Sequence, residues 1–231
     1  MSINTSGGVV NPSKVSETWQ GAGVEMWRAL KAVFTQARSF LLLFSVLGLV
    51  SSAAAAYDPE GLSGAAISLI IGLLTPVAVL KYGLHIAQSA STSLRSLFVT
   101  SVKEYLTVLM GYIAVITIYV VAALPLFIPL IWILPWFAFV LFIIVDEGIS
   151  LGQACRRSKQ LGGSHKGAIW SLILLSLLLS VVAAGSFAFP QVGWVISELV
   201  NIIVSLAAMI AFARLYLYCK AQVKETNKAN S

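Results

Sequence analysis

Long apolar runs separated by short polar segments make up most of the chain from about residue 39 onwards. Runs such as SFLLLFSVLGLVSSAAAAY (39–57) and AIWSLILLSLLLSVVAAGSFAF (168–189) have no polar face at helical or strand spacing. A helix that is apolar on all sides faces lipid or other apolar helices, and roughly 20 such residues cross a bilayer. The pattern therefore predicts an all-α integral membrane protein.

Six predicted membrane spans account for these runs. Residues 105–145 are apolar throughout and contain Pro125, Pro129 and Pro135. They are about twice as long as the roughly 20 residues that one span requires, so we expect a hairpin with its turn near LPLFIP. The six spans cover about residues 39–57, 62–81, 105–124, 130–145, 168–189 and 195–218.

Polar segments flank this six-span domain of residues 24–218. Residues 1–23 are rich in Gly and Ser without apolar periodicity, which predicts a flexible polar arm, and residues 219–231 form a basic polar tail. From Val24 to Arg38 the spacing predicts an amphipathic helix in the headgroup plane on the cytoplasmic side. Its apolar face holds Trp27, Leu30, Phe34 and Ala37, and its polar face holds Arg28, Lys31, Thr35 and Arg38.

The positive charges give the orientation. The chain has 15 Lys and Arg against 9 Asp and Glu, a net charge of +6. With six spans all of these bases lie on one side, so the positive-inside rule predicts a multi-pass inner-membrane protein with both termini cytoplasmic. The bases flank apolar segments and are not interleaved with stacking aromatics. We therefore expect anionic lipids as partners and no nucleic acid.

Two smaller features bear on compartment and processing. Cys155 and Cys219 fall on the predicted cytoplasmic side, so we expect both thiols to be reduced and unpaired. Arg38, the apolar run after it and SSAAAAY resemble a signal peptide with small residues at a cleavage site. The leading region is longer than that pattern allows, so the sequence predicts that the segment is kept. Cleavage near Tyr57 would leave five spans.

The densest cluster of charges lies between the fourth and fifth spans, in DEGISLGQACRRSKQLGGSHKG (146–167). Ser150 and Gln153 fit a capping box that starts a short interfacial helix, with Ala154, Ser158 and Leu161 on its apolar face. We expect the glycine doublet to break that helix before the fifth span. Bases and glycine N–H groups there are candidates for binding a lipid phosphate: Arg156, Arg157, Lys159, Lys166, Gly162 and Gly163. The alternative is that these bases only set the orientation in the membrane.

Four polar residues have separate candidate roles. Asp146 and Glu147 end the fourth span, and an ion pair with Arg156 or Arg157 would hold the interfacial helix against that span. Glu198 and Asn201 lie in the sixth span, where acids are candidates for proton transfer or substrate contact. Alternatively, Glu198 lies close enough to the interface to reach water.

The segment WFAFVLFIIVDEGISLGQACRRSKQLGGSHKGAIWSLILL resembles the six-span membrane domain associated with some bacterial glycerophosphoryl diester phosphodiesterases and related uncharacterised bacterial membrane proteins. The resemblance implies a fold rather than an activity, because catalysis in the enzymes of that family lies in a separate soluble barrel. Asp146 before Glu147 and the doubled glycine depart from the pattern. The matching positions are Glu147, Gly148, Ala154, Ser158, Leu161 and Gly163.

No catalytic, metal or cofactor motif occurs in the sequence. The leading hypothesis is a non-enzymatic protein that organises lipids, or binds a protein partner or a second copy of itself, in the cell envelope. One alternative is a transporter or channel component with Glu198, Asn201 and Pro76 near a pathway. The other is a membrane-embedded enzyme that modifies lipids.

Overall fold

The computed structural model describes residues 20–36, 38–57, 76–88, 102–123, 130–185 and 193–229. Most of the predicted polar arm, most of the predicted second span and the predicted LPLFIP turn lie outside these residues. Every regular element in the described part is a helix. The helices are α1 Ala22–Thr35, α2 Arg38–Tyr57, α3 Pro76–Ala87, α4 Val102–Ala123, α5 Leu130–Phe137, α6 Val140–Glu147, α7 Leu151–Ser164, α8 Lys166–Ala184 and α9 Gly193–Ala229.

Three described helices are long and apolar enough to cross a membrane: Val102–Ala122, Lys166–Ala184 and Val195–Thr226. They coincide with the predicted third, fifth and sixth spans, which confirms the all-α class and the apolar, span-length character of those segments. A fourth candidate is the pair Ala22–Thr35 and Arg38–Val50, two helices bent by 87° relative to each other. Large apolar side chains of α8 are exposed, as lipid contact requires: Leu174, Leu177, Leu178, Val181 and Val182.

Helix α9 is the central element and packs against α1, α2, α3 and α8. Small residues let its neighbours approach closely, since Gly83 of α3 faces Met209 and Gly48 of α2 faces Ile202. Its 37 residues give a length of about 55 Å, whereas a bilayer core is about 30 Å thick. The predicted polar tail therefore continues the last helix as far as Ala229.

Helix α1 leaves two large residues of its predicted apolar face exposed and packs with another face against the protein. Trp27 and Phe34 are 59% and 50% exposed. The packed face carries an ion pair: Glu25 Oε2 lies 3.4 Å from Nη1 of Arg214 on α9, and Glu25 Oε1 lies 2.7 Å from Nη1 of Arg28. This partner is far away in sequence, so helical spacing alone cannot reveal it. The buried residues are Glu25, Met26, Ala29 and Val33.

Helix α4 packs antiparallel to α5 and α6, the arrangement that the hairpin predicted for residues 105–145 requires. Gly111 of α4 faces Ile144 of α6, and the Tyr119 hydroxyl of α4 donates to the Leu134 carbonyl of α5 at 3.3 Å. The first half of α4 thus lies beside α6 and its second half beside α5, so the chain direction reverses between α4 and the α5–α6 segment.

The predicted fourth span is divided into two short helices, α5 and α6, joined at residues 138–139. Pro135 has no N–H, so the carbonyl of Ile131 loses its helical partner. The indole Nε1 of Trp170 on α8 donates to that carbonyl at 3.0 Å. At the junction, the N–H of Phe139 donates to Oγ of Ser158 on α7 at 3.1 Å. Neighbouring helices therefore satisfy backbone groups that the interruption frees.

The two ends of the α5–α6 segment contact the same end of the α8–α9 pair. The Ile131 carbonyl accepts a hydrogen bond from Trp170, one turn into α8. Glu147 forms an ion pair with Lys220, near the end of α9. His165, which precedes α8, lies against Tyr218 of α9 with ring centroids 5.9 Å apart. The two ends of residues 131–147 therefore both lie near one end of the α8–α9 pair. The buried apolar side chains of α6 pack among α3, α4 and α7, whereas Ile131 and Trp132 of α5 are exposed.

Candidate functional site

Helix α7 packs antiparallel to α5 and α6, and this packing sets the position of the charged residues 146–167. Ala154, Ser158 and Leu161 are buried, as their spacing predicts, and Gln153 and Gln160 are exposed. The helix begins after Ser150 as expected, but the Ser150 side chain makes no capping hydrogen bond. Burial against α5 and α6 therefore holds this end of the helix.

The glycine doublet does not break α7, contrary to the expectation from sequence. The helix continues through both glycines to Ser164, and the break falls at His165. A Cβ atom on Gly162 would collide with the backbone carbonyl oxygen of Pro135, whereas one on Gly163 would meet nothing within 4 Å. Gly162 therefore serves close helix packing, and its N–H lies inside the helix.

Asp146 and Glu147, at the end of α6, form a compact polar cluster with α9. Nζ of Lys220 lies 2.6 Å from Oδ2 of Asp146 and 2.9 Å from Oε1 of Glu147. The Tyr216 hydroxyl donates to the same two oxygens at 2.7 and 3.4 Å. On the other side, Nε of Arg157 lies 3.8 Å from Oε2 of Glu147. We call these five residues the acid cluster.

The acid cluster joins three helices electrostatically. Two adjacent carboxylates at a helix C-terminus repel each other and oppose the helix dipole, so they need nearby cations. The carboxylate side chains are only 18% and 19% exposed, and Lys220 supplies one charge to both. Chemically the arrangement is a clamp between α6, α7 and α9 in which the tyrosine and lysine act as hydrogen-bond donors.

Sequence reasoning found part of this cluster. It nominated the two acids and Arg157, but Arg156 is exposed and forms no ion pair with the acids in the part of the chain that the structure describes. It placed Tyr216 in the predicted sixth span and Lys220 in the basic tail. Only their spacing of four residues, on one face near the end of the last span, hints at a common partner.

The remaining predicted headgroup-binding bases lie over tryptophan rings. Nζ of Lys159 is 4.5 Å from the ring centroid of Trp136. Nζ of Lys166 is 4.6 Å from that of Trp132 and 5.7 Å from that of Trp136. The structure therefore brings these two lysines together and separates them from Arg157, which faces the acid cluster.

The structure does not bring Glu198 and Asn201 to the acid cluster. Glu198 lies eighteen residues before Tyr216 on the same helix, about 27 Å along its axis. Oε1 of Glu198 lies close to the α2 backbone at Gly48, and the Asn201 amide donates to Oγ of the buried Ser197 at 3.4 Å. These residues sit in the α2–α9 contact.

Among the residues that the structure describes, no group of three His, Cys, Asp or Glu side chains is placed to hold a metal ion. Comparison with protein families, curated proteins and solved structures gives no match. The resemblance to the phosphodiesterase-associated membrane domain therefore stays a prediction.

Proposed function

We propose that this chain is a polytopic, non-enzymatic protein of the cell inner membrane, with both termini cytoplasmic, that gathers anionic lipid at its cytoplasmic end. The observation that carries the proposal is the meeting of bases at one end of the α8–α9 pair. Lys159 of α7 and Lys166 of α8 lie over tryptophan rings there and Arg156 of α7 is exposed, whereas Arg157, Arg214 and Lys220 are paired with carboxylates. Each exposed base near an anionic surface contributes about 1 kcal/mol to lipid attraction.

Helix α1 supports the same orientation. It is bent by 87° from the start of α2, and Nζ of Lys31 lies 5.2 Å from the ring centroid of the exposed Trp27. Apolar, aromatic and basic side chains on the free face of a helix suit the headgroup region. The Glu25–Arg214 ion pair holds this helix against α9 at the basic end of the molecule.

The contacts of the hairpin bear on the number of spans. Six spans and four spans with a re-entrant hairpin both place all bases on one face, because the α4–α6 hairpin contributes either two crossings or none. The α5–α6 contacts with the same end of α8 and α9 favour the second arrangement. We propose that the hairpin enters and leaves the membrane on the cytoplasmic side.

A cysteine in the predicted LPLFIP turn tests this topology. In a background with Cys155→Ser and Cys219→Ala, we expect Phe127→Cys not to react with a membrane-impermeant maleimide added outside right-side-out vesicles. Glu60→Cys, in the DPEG turn, should react from outside in either arrangement, and Lys224→Cys only after permeabilisation. External labelling of Phe127→Cys as fast as that of Glu60→Cys would restore the six-span arrangement.

Lipid retention tests the proposed function. In nanodiscs that contain equal amounts of phosphatidylcholine and phosphatidylglycerol, we expect native mass spectrometry to show the anionic lipid enriched on the released protein. Replacing Arg156 and Lys159 with glutamine should lower this enrichment by up to about thirtyfold, since each base contributes about 1 kcal/mol.

The matched control removes two exposed bases elsewhere. Lys103→Gln with Lys224→Gln changes the net charge equally and should leave most of the enrichment in place. Equal binding of both lipids by the unaltered protein would exclude the proposed function. Equal losses in the two double variants would reduce the effect to net charge.

A further inference from the structure

Two lysines and two tryptophans form a separate cationic site where α5, α7 and the start of α8 meet. Trp132 and Trp136 are four residues apart and therefore share one face of α5. Lys166 lies over both rings and Lys159 over Trp136. We propose that this lysine–tryptophan site binds a phosphomonoester group, an inference that rests on the proposed lipid function and makes it more specific.

The charges at the site are not balanced by the protein. Neither Lys159 nor Lys166 forms an ion pair with a carboxylate in the described part of the chain, where the ion pairs involve other residues. The nearest acidic residues along the chain, Asp146 and Glu147, contact Lys220. Indole faces attract ammonium groups but carry no net charge, so they hold the lysines without neutralising them.

The start of α8 adds hydrogen-bond donors. The helix begins at Lys166, and no side chain caps its first N–H groups. These N–H groups are free donors, while the C-terminus of α7 at Ser164 offsets the partial positive charge of this helix end. With two ammonium groups, the site therefore suits an anion with more than one negative charge.

The charge of the ligand selects its chemical class. A phosphomonoester carries about 1.5 to 2 negative charges at neutral pH, whereas a phosphodiester headgroup carries about one. The lysine–tryptophan site fits the phosphomonoester. Such a group reaches the site either on a lipid or as a soluble ion, and the exposed Trp132, 56% accessible beside the exposed Ile131, provides an apolar surface for acyl chains.

The lysine–tryptophan site also depends on contacts that hold α5 against α7 and α8. Trp170 bonds the Ile131 carbonyl at 3.0 Å, which anchors the turn of α5 that carries Trp132. Gly162 allows α7 to approach Pro135 closely, which brings Lys159 within reach of Trp136. Both contacts place the lysines before any ligand is present.

Competition between two anionic lipids tests the proposal. The full-length protein is placed in phosphatidylcholine nanodiscs with equal mole fractions of phosphatidic acid and phosphatidylglycerol, and native mass spectrometry gives the ratio of the two retained lipids. We expect a preference for phosphatidic acid of about fivefold, the effect of one additional charge beside a base. In Lys159→Gln with Lys166→Gln this ratio should fall to about one.

Three controls separate the outcomes. Lys103→Gln, an exposed base of α4, should keep the preference, and an unchanged melting temperature shows that the double variant is folded. Trp136→Leu, which keeps both charges and removes the ring between them, should lower the ratio. Inorganic phosphate at millimolar concentration displaces phosphatidic acid if the site accepts the soluble ion, and leaves it bound if acyl contact is required.

The result that overturns the proposal differs from the one that overturns the proposed function. If the unaltered protein retains phosphatidic acid and phosphatidylglycerol equally, but both above phosphatidylcholine, the lysine–tryptophan site is not selective and the general function stands. If neither anionic lipid exceeds phosphatidylcholine, the proposed function fails. A preference that persists in Lys159→Gln with Lys166→Gln assigns it to other residues.

Discussion

Replacing Gly162 with alanine is expected to destabilise the protein, although alanine favours a helix. The new Cβ would collide with the Pro135 carbonyl oxygen, a backbone atom that cannot rotate away. Overpacking of this kind costs about 1–3 kcal/mol, and separation of α7 from α5 would also weaken the Phe139–Ser158 hydrogen bond. We expect a lower melting temperature and a lower yield of folded protein in detergent.

Gly163→Ala is the matched control for this effect. The same substitution one position later meets nothing within 4 Å and lies in the same helix. Alanine should stabilise that position by up to about 1 kcal/mol through helix propensity. Differential scanning fluorimetry of the two variants side by side gives the comparison. Equal melting temperatures would show that α7 does not approach α5 as described.

Replacing Lys220 with methionine is expected to be the most damaging single change in the acid cluster. It removes two short contacts and leaves the carboxylates of Asp146 and Glu147 facing each other with Tyr216 and the more distant Arg157. Complete burial of such a broken pair costs about 3–5 kcal/mol, and partial exposure of these side chains lowers the expected loss to about 2 kcal/mol.

A double-mutant cycle isolates this interaction. Asp146→Asn combined with Lys220→Met should lose less stability than the sum of the two single variants, because the double variant no longer contains that unpaired charge. Lys224→Met, one turn further along α9 and exposed, should leave the melting temperature unchanged. Additive effects in the cycle would show that Lys220 does not contact Asp146 in the folded protein.

The acids of the densest charged stretch, residues 146–167, find their main partners outside that stretch. From sequence, Asp146 and Glu147 seem to require Arg156 or Arg157 as partners, since those bases are the nearest along the chain. The structure supplies Lys220 and Tyr216 instead, more than sixty residues away. Arg157 makes only the longer contact with Glu147, which leaves Lys159 and Lys166 for the tryptophans.

The sequence by itself determined the features that depend on local composition. Apolar runs at helical length predicted the all-α class and the span-length helices Val102–Ala122, Lys166–Ala184 and Val195–Thr226. Spacing within α7 predicted its buried residues, because a helix with one polar face has only one side that can pack. The hairpin of residues 105–145 followed from its length and prolines.

Only the tertiary structure supplied the long-range contacts of that hairpin and the pairing of the charges. Apolar composition is the same for a helix that faces lipid and for one that is buried against other helices, and the charge rule cannot distinguish two crossings from none. The contacts of Ile131 with Trp170, Glu147 with Lys220 and Glu25 with Arg214 join residues distant in sequence. No local pattern encodes them, because each depends on how whole helices pack around α9.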